Sequence, residues 1–133
     1  MIANTLGTIK VLLAEDNEIN KLIVKVMVQS WGFTITQASN GVEAVDLVTK
    51  EDFDVVLMDI QMPEKDGVEA TIDIRNMADE KKKHIPIIAL TADALLGEEK
   101  KYLAAGMNAY LTKPFKEQVL YDTIARVLQK EQV

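Results

Sequence analysis

The chain has 133 residues, with 15 Lys+Arg against 21 Asp+Glu for a net charge of -6, which is one ordinary domain with room for a single full hydrophobic core. At 48% hydrophobic and 27% charged it has globular rather than disordered or fibrous composition, and its acidic balance disfavours holding nucleic-acid phosphates or an anionic membrane. The absence of cysteine excludes disulfides, thiolate catalysis and cysteine-based zinc sites. No apolar run approaches the ~20 residues that span a bilayer. Met1 to Lys10 lacks the apolar stretch and cleavage site of a secretory signal, so the expected location is the cytoplasm.

Short apolar runs alternate with amphipathic stretches along the whole chain, without repeats or linker-like tracts. Ile9 to Ala14 reads as a first strand. Asn17 to Trp31 follows as a helix, with a stripe of Ile19, Leu22, Ile23, Val26 and Met27. Val24, Val28 and Trp31 make an adjacent stripe, so this helix either buries a broad face or offers one to a partner. Phe33 to Thr36 alternates apolar and polar, as a half-buried edge strand does. Asn40 and Glu43 resemble an N-cap and its N3 partner, opening a helix to about Lys50 with an Asp46–Lys50 pair. Val55 to Met58 is unbroken apolar, the pattern of a strand covered on both faces. A helix over about Gly67 to Met77 precedes a strand over Ile85 to Leu90. The solvated run Lys81-Lys82-Lys83-His84 lies between them as a loop. The stretch Ala94 to Ala105 reads as helix ended by Gly106. Ala109 to Leu111 reads as a short strand, and Lys116 to Gln129 as a last helix with Val119, Leu120, Ile124, Val127 and Leu128 inward. Five strands and five helices in strict alternation predict an α/β fold with a parallel sheet.

In such a sheet, chemistry belongs at the carboxyl ends of the strands. Those ends carry Glu15 and Asp16, Asp59, Thr91, and Thr112-Lys113-Pro114. Taken singly, each acid fits an N-cap or a solvated loop, Thr91 a helix cap and Lys113 the surface. Together they bring three carboxylates, a hydroxyl and an ammonium to one edge. Acids packed together repel, and hard oxygen ligands shared with a cation suit Mg2+ better than zinc. Asp59 ends the most buried strand, projects from the middle of the sheet, and is the natural nucleophile toward phosphorus. Lys113 would add counter-charge and Thr91 a hydrogen bond to the phosphoryl group.

The acidic pair in LLAEDN, the LMDIQMPEKDG block around Asp59, the ALTA block with Thr91 and YLTKPF with Lys113 resemble a response-regulator receiver domain over Lys10 to about Gln129. The resemblance implies a single receiver domain over residues 1–133, with its core at about 9–130. It also implies a flavodoxin-like, doubly wound five-stranded parallel sheet of order 2-1-3-4-5. By that resemblance Asp59 is phosphorylated. Glu15, Asp16, Asp59 and the backbone carbonyl of Gln61 hold Mg2+, Thr91 and Lys113 contact the phosphoryl group, Tyr110 is the switch aromatic, and Lys113-Pro114 is cis. The implied partner is a histidine kinase or histidine phosphotransfer domain. An output domain or partner is expected on the face formed by the fourth helix, fifth strand and fifth helix, and no direct contact with nucleic acid or membrane is expected. The LLAEDNEIN start resembles receiver modules of hybrid histidine kinases, with the first helix as docking surface. Lys65 departs from the commonly apolar residue of its loop, and Gln61 and Asp93 are expected to influence how water reaches the acyl phosphate.

Three other functions compete. A Mg2+-dependent phosphatase with an aspartate nucleophile typically carries a second Asp two residues on, where this chain has Gln61. A flavin-binding electron carrier shares the topology but needs a hydroxyl- and glycine-rich loop where AEDNEIN presents acids. A pure docking module would never react.

Overall fold

The computed structural model describes residues 6–92 and 98–131, with the side chains of 130 and 131 left aside. The strands are β1 (Lys10–Ala14), β2 (Thr34–Ala38), β3 (Val55–Asp59), β4 (Ile87–Thr91) and β5 (Ala109–Thr112), all parallel, in the order β2-β1-β3-β4-β5. The helices are α1 (Glu18–Ser30), α2 (Gly41–Lys50), α3 (Gly67–Arg75), α4 (Glu80–Lys83), α5 (Glu98–Ala105) and α6 (Glu117–Glu131). This is the doubly wound, flavodoxin-like arrangement expected from the alternation. No helix among the described residues is long and apolar enough to cross a membrane.

Strand residues alternate between two cores. Val11, Leu13, Val55, Leu57, Ile88 and Leu90 pack with residues of α1 and α6. Leu12, Ala14, Val56, Met58, Ile87 and Ala89 pack with residues of α2, α3 and α5. Both faces of β3 are therefore covered, and its residues read as continuously apolar for that reason. Met58 and Met107 are buried and Met62 packs against the second core, as packing residues do. Trp31 sits edge-on to Phe33 and Tyr121, at centroid distances of 5.5 and 5.1 Å, which closes the first core between α1 and α6.

The helix starts follow local chemistry. Asn17, Asn40, Asp66 and Asp79 each cap a helix through a side-chain oxygen, worth about 1 kcal/mol apiece. The expected Asp46–Lys50 pair forms at 2.9 Å.

Three expectations are corrected. The segment before β4 is not all loop: Asp79 caps a one-turn helix, α4, so there are six helices among the described residues. Its Lys82 is not simply solubilising. Its Nζ donates to the carbonyls of Val48 and Thr49 at 2.7 Å each, finishing the C-terminus of α2. His84 remains exposed, as expected of it. Val119 of α6 faces outward, because the inward arc is filled by Leu120, Ile124 and Val127. Of the stretch read as Ala94 to Ala105, Glu98–Ala105 is helical, and the start of that reading lies outside the described residues. Gly106 ends the helix at φ +111°, where a side chain would be strained and would meet Arg75 Cγ at 2.8 Å.

The two stripes of α1 separate cleanly. Val24 and Val28 are buried, whereas Ile19 (69% exposed), Leu22 (59%), Ile23 (48%) and Val26 (60%) face outward. Met27 lies half-buried between them. The helix thus buries one stripe and leaves the other open to solvent.

Candidate phospho-acceptor and metal site

Apart from Tyr110, which lies within β5, every predicted site side chain leaves the sheet at its carboxyl edge. Asp59 and Thr91 are the last residues of β3 and β4, Glu15 follows β1, and Lys113 follows β5. Glu15, Asp59 and Thr91 are buried at 1%, 6% and 4% exposure, whereas Asp16 is open to solvent. Each of Glu15, Asp16 and Asp59 offers a carboxylate oxygen within 4.8 Å of the others. Lys113 Nζ donates to Glu15 Oε1 at 2.7 Å and stands 3.3 Å from Asp59 Oδ1. These side chains line a polar cavity of about 450 Å³ together with Asn17, Asn20, Ile60, Gln61, Thr91 and Ala92.

The backbone holds this edge in place. Glu15 N donates to Ala38 O at 3.0 Å, Ile60 N to Leu90 O at 3.1 Å and Lys113 N to Thr91 O at 2.7 Å. The Lys113-Pro114 peptide is cis, as the resemblance implies. Gly67 passes so close to the sheet that a Cβ there would meet Asp59 O at 2.2 Å, and its N–H bonds Ile60 O at 2.9 Å. Gly41 approaches the same loop, where a Cβ would meet Lys65 O at 2.3 Å. Lys65, the unusual residue of that loop, turns its ammonium to Asp73 of α3. The loop after Asp59 is thus clamped by backbone contact from two helices.

Crowded acids in a partly dry site cannot all ionise freely. Burial, reinforced by Glu15 alongside, pushes Asp59 up to about 7, against the pull of Lys113. Burial also opposes the charge on Glu15, but its hydrogen bonds to Asp59 and Lys113 win and hold it below the usual carboxylate range. Burial pulls the Lys113 ammonium down, and the bond to Glu15 with the charge of Asp59 more than offsets it. Near neutrality the proton therefore stays with Asp59 while Glu15 is ionised, with a lysine beside both. Hard oxygen donors, clustered and open to water on the Asp16 side, fit a divalent ion such as Mg2+, which would replace that proton.

Tyr110 is on β5 with 41% exposure, turned outward. Asp93 lies outside the described residues. Sequence reasoning missed two residues. One is Gly67, for which the Asp-Gly pair after the acidic block was the available signal. The other is Tyr102 of α5, whose hydroxyl lies 3.4 Å from Thr91 Oγ1, with both residues buried. Nothing in a helical Tyr marks that pairing.

Residues 11–125 match the family model for the response regulator receiver domain. The chain is 42% identical over 120 residues to hybrid signal transduction histidine kinase I of Dictyostelium discoideum, a match over 86% of this chain that spans only 7% of that protein's length. It is 36% identical over 121 residues to the polar-differentiation response regulator DivK of Brucella ovis, covering 91% of this chain and 97% of DivK. The solved receiver domain of a sensor histidine kinase of Pseudomonas aeruginosa PAO1, with a magnesium ion coordinated in its active-site cleft, superposes at a TM-score of 0.84. It is 40% identical, and the match covers 92% of this chain and 99% of that one. With this match over most of the chain and a carboxylate cluster at the carboxyl edge of its sheet, the chain belongs to the response regulator receiver domains, phospho-acceptor switch modules that work with Mg2+.

Proposed function

We propose that Asp59 is the phospho-acceptor and that its donor is a phosphohistidine on a histidine kinase or histidine phosphotransfer domain. The observation that carries this is the position of Asp59: at the end of the central strand, 3.3 Å from the Lys113 ammonium and grouped with Glu15 and Asp16. A carboxylate oxygen of Asp59 attacks phosphorus, the N–P bond breaks, and its electron pair returns to the donor imidazole. Asp59 reacts as the anion, so the proton it holds near neutrality has to leave first. Lys113 offsets the charge on the incoming phosphoryl group, and Thr91 hydrogen-bonds one of its oxygens. Glu15, Asp16, Asp59 and the carbonyl of Gln61 would hold Mg2+, which would supply charge neutralisation at the transferring group.

The bound group adds roughly -1.5 to -2 charge. Thr91 and Lys113 interact with it differentially, which is what a population shift requires. Tyr110 then reports the shift to the surface formed by α5, β5 and α6, where Leu103, Tyr110 and Val119 are exposed apolar residues. This is the face expected to meet an output domain or partner. The four outward apolar residues of α1 serve as the docking surface for the histidine-bearing partner. Of the four, Ile23 lines an apolar cavity of about 370 Å³ that borders the acidic one and shares Glu15, Asn20, Ala92 and Lys113 with it. The chain works as one receiver unit, in a hybrid histidine kinase by the first-helix features. The phosphatase alternative has no acid at Gln61, whose amide cannot donate the proton that a leaving alcohol needs.

Intact-mass analysis after incubation with Mg2+ and a small acyl-phosphate donor tests the reading. One added phosphoryl group is expected, labile to base, dependent on Mg2+ and absent in Asp59→Asn. Modification that persists in that variant, or that forms equally in chelator, would overturn it.

A further inference from the structure

We propose that Tyr102 is a positioning residue of the switch: its phenol holds the Thr91 hydroxyl on the α5 side of the sheet, and that contact breaks when Asp59 is phosphorylated. This rests on the reading of Asp59 and Thr91 above and adds to it a second tyrosine, on α5 rather than β5.

Strand alternation separates the two groups. Ile87 and Ala89 of β4 belong to the core that contains Tyr102, and Thr91 continues their parity. Val55 and Leu57 belong to the opposite core, the one lined by α1 and α6, and Asp59 continues theirs. Thr91 Oγ1 accordingly lies 3.4 Å from Tyr102 Oη, at a site where Thr91 is 4% and Tyr102 3% exposed. Whichever oxygen donates, Oγ1 faces α5 while that contact stands. Water has little access to replace it.

The backbone of Thr91 does not need to move. Its carbonyl accepts from Lys113 N at 2.7 Å, and its neighbour Leu90 is in register with Asp59. The mobile element is the side chain, and a β-branched residue has few χ1 wells. One well serves Tyr102, and another turns the hydroxyl toward a phosphoryl group on Asp59. This is a two-state device with a named competitor on each side. Breaking the contact releases the phenol on α5, the helix that also presents Leu103 to solvent at 51% exposure.

The experiment compares the wild-type chain with Tyr102→Phe, which keeps the ring in the core. Three-bond couplings of the Thr91 methyl, measured without phosphate donor, give its χ1 populations. One dominant rotamer is expected in the wild type and a mixture in Tyr102→Phe. Phosphorylation by a small acyl-phosphate donor with Mg2+ is expected to be about two- to ten-fold faster in the variant, the weight of one hydrogen bond. In a Thr91→Val background, Tyr102→Phe should change the rate no further. If Tyr102→Phe folds poorly, Thr91→Ser, which keeps the hydroxyl and loosens its rotamer, should show the same mixing and acceleration. Unchanged rotamers and rates in the variant overturn the proposal, as does an equal rate change in the Thr91→Val background, which would mark packing alone. A wild-type chain that takes no phosphoryl group on Asp59 overturns the proposed function instead, and the rotamer populations still decide the role of Tyr102.

Discussion

The two edges of the sheet treat charge in opposite ways. At the amino edge, polar groups end on acceptors that need them. Arg75 Nε donates to Gly106 O, one terminal nitrogen to Lys83 O and the other to Asn108 Oδ1, at 2.8, 2.8 and 2.9 Å. Asn108 Oδ1 also accepts from Ile87 N at 2.8 Å, and Lys82 closes α2. At the carboxyl edge, two buried carboxylates meet the Lys113 ammonium with the exposed Asp16 carboxylate beside them, and Asp59 retains its proton to about 7. One edge is satisfied and holds three segments together. The other keeps acids close, their repulsion relieved by Lys113 and by the proton on Asp59, and a cation can take over that proton's part as the site receives a phosphoryl group.

Removing Arg75 should separate the two edges most sharply. Arg75→Ala strips hydrogen bonds from two half-buried carbonyls, of Lys83 and Gly106, and from the exposed Asn108 side chain, and opens space beside Gly106. A loss of about 3 kcal/mol is expected in denaturant unfolding. At a temperature where the variant stays folded, its phosphorylation by a small donor should match the wild type. A large loss of phosphorylation with little loss of stability would show that the amino edge is not merely structural.

Mg2+ acts on the other edge. At 100 times its dissociation constant it should raise stability by about 2.7 kcal/mol. The gain should shrink in Asp16→Asn, which removes the exposed ligand without disturbing the core. A proton competes for Asp59, so Mg2+ should bind more weakly as pH falls through about 7, and thermal shifts at several pH values check this.

The metal-free protein carries the same conflict as a pH dependence. Asp59 titrates near 3.8 in an ordinary setting and at about 7 in the fold. The folded state therefore binds more protons than the unfolded state between those values. The contribution of Asp59 is fully present below pH 3.8 and is lost as pH rises through about 7. Asp59→Asn removes the conflict. It should be more stable than the wild type at pH 8 by roughly 1–3 kcal/mol, with the difference shrinking toward acid. Parallel stability profiles for the two proteins would mean that Asp59 ionises normally.

Much of this was legible in the residues because both signals are local. Most strands are short apolar runs, and Glu15, Asp59 and Thr91 are each the first polar position after one, with Asp16 and Lys113 next in line, so the sheet and its carboxyl edge could be read together. Besides the Tyr102–Thr91 pairing, three features of the fold were not legible. The Glu80–Lys83 turn has no apolar periodicity, and only Asp79 as cap marks it. The bond from Lys82 to the end of α2 joins residues 34 apart, which no local pattern encodes. Two adjacent stripes on α1 left open which would be buried, because periodicity gives the spacing of a face and not its direction. Val24 and Val28 won because they lie over the first core with Trp31.

That outward stripe supports the smallest stability change and the most selective functional one. Leu22 is 59% exposed, so Leu22→Ser should shift stability by no more than about 0.5 kcal/mol. Phosphorylation by a small acyl-phosphate donor should not change either, because Leu22 does not line the acidic cavity. Transfer from a phosphohistidine protein should slow several-fold, since the apolar area such a partner would cover is reduced. The ratio of the two rates isolates docking from chemistry. If both rates fall together, the α1 face acts on the site itself; if neither falls, its exposed apolar residues serve some contact other than phosphotransfer.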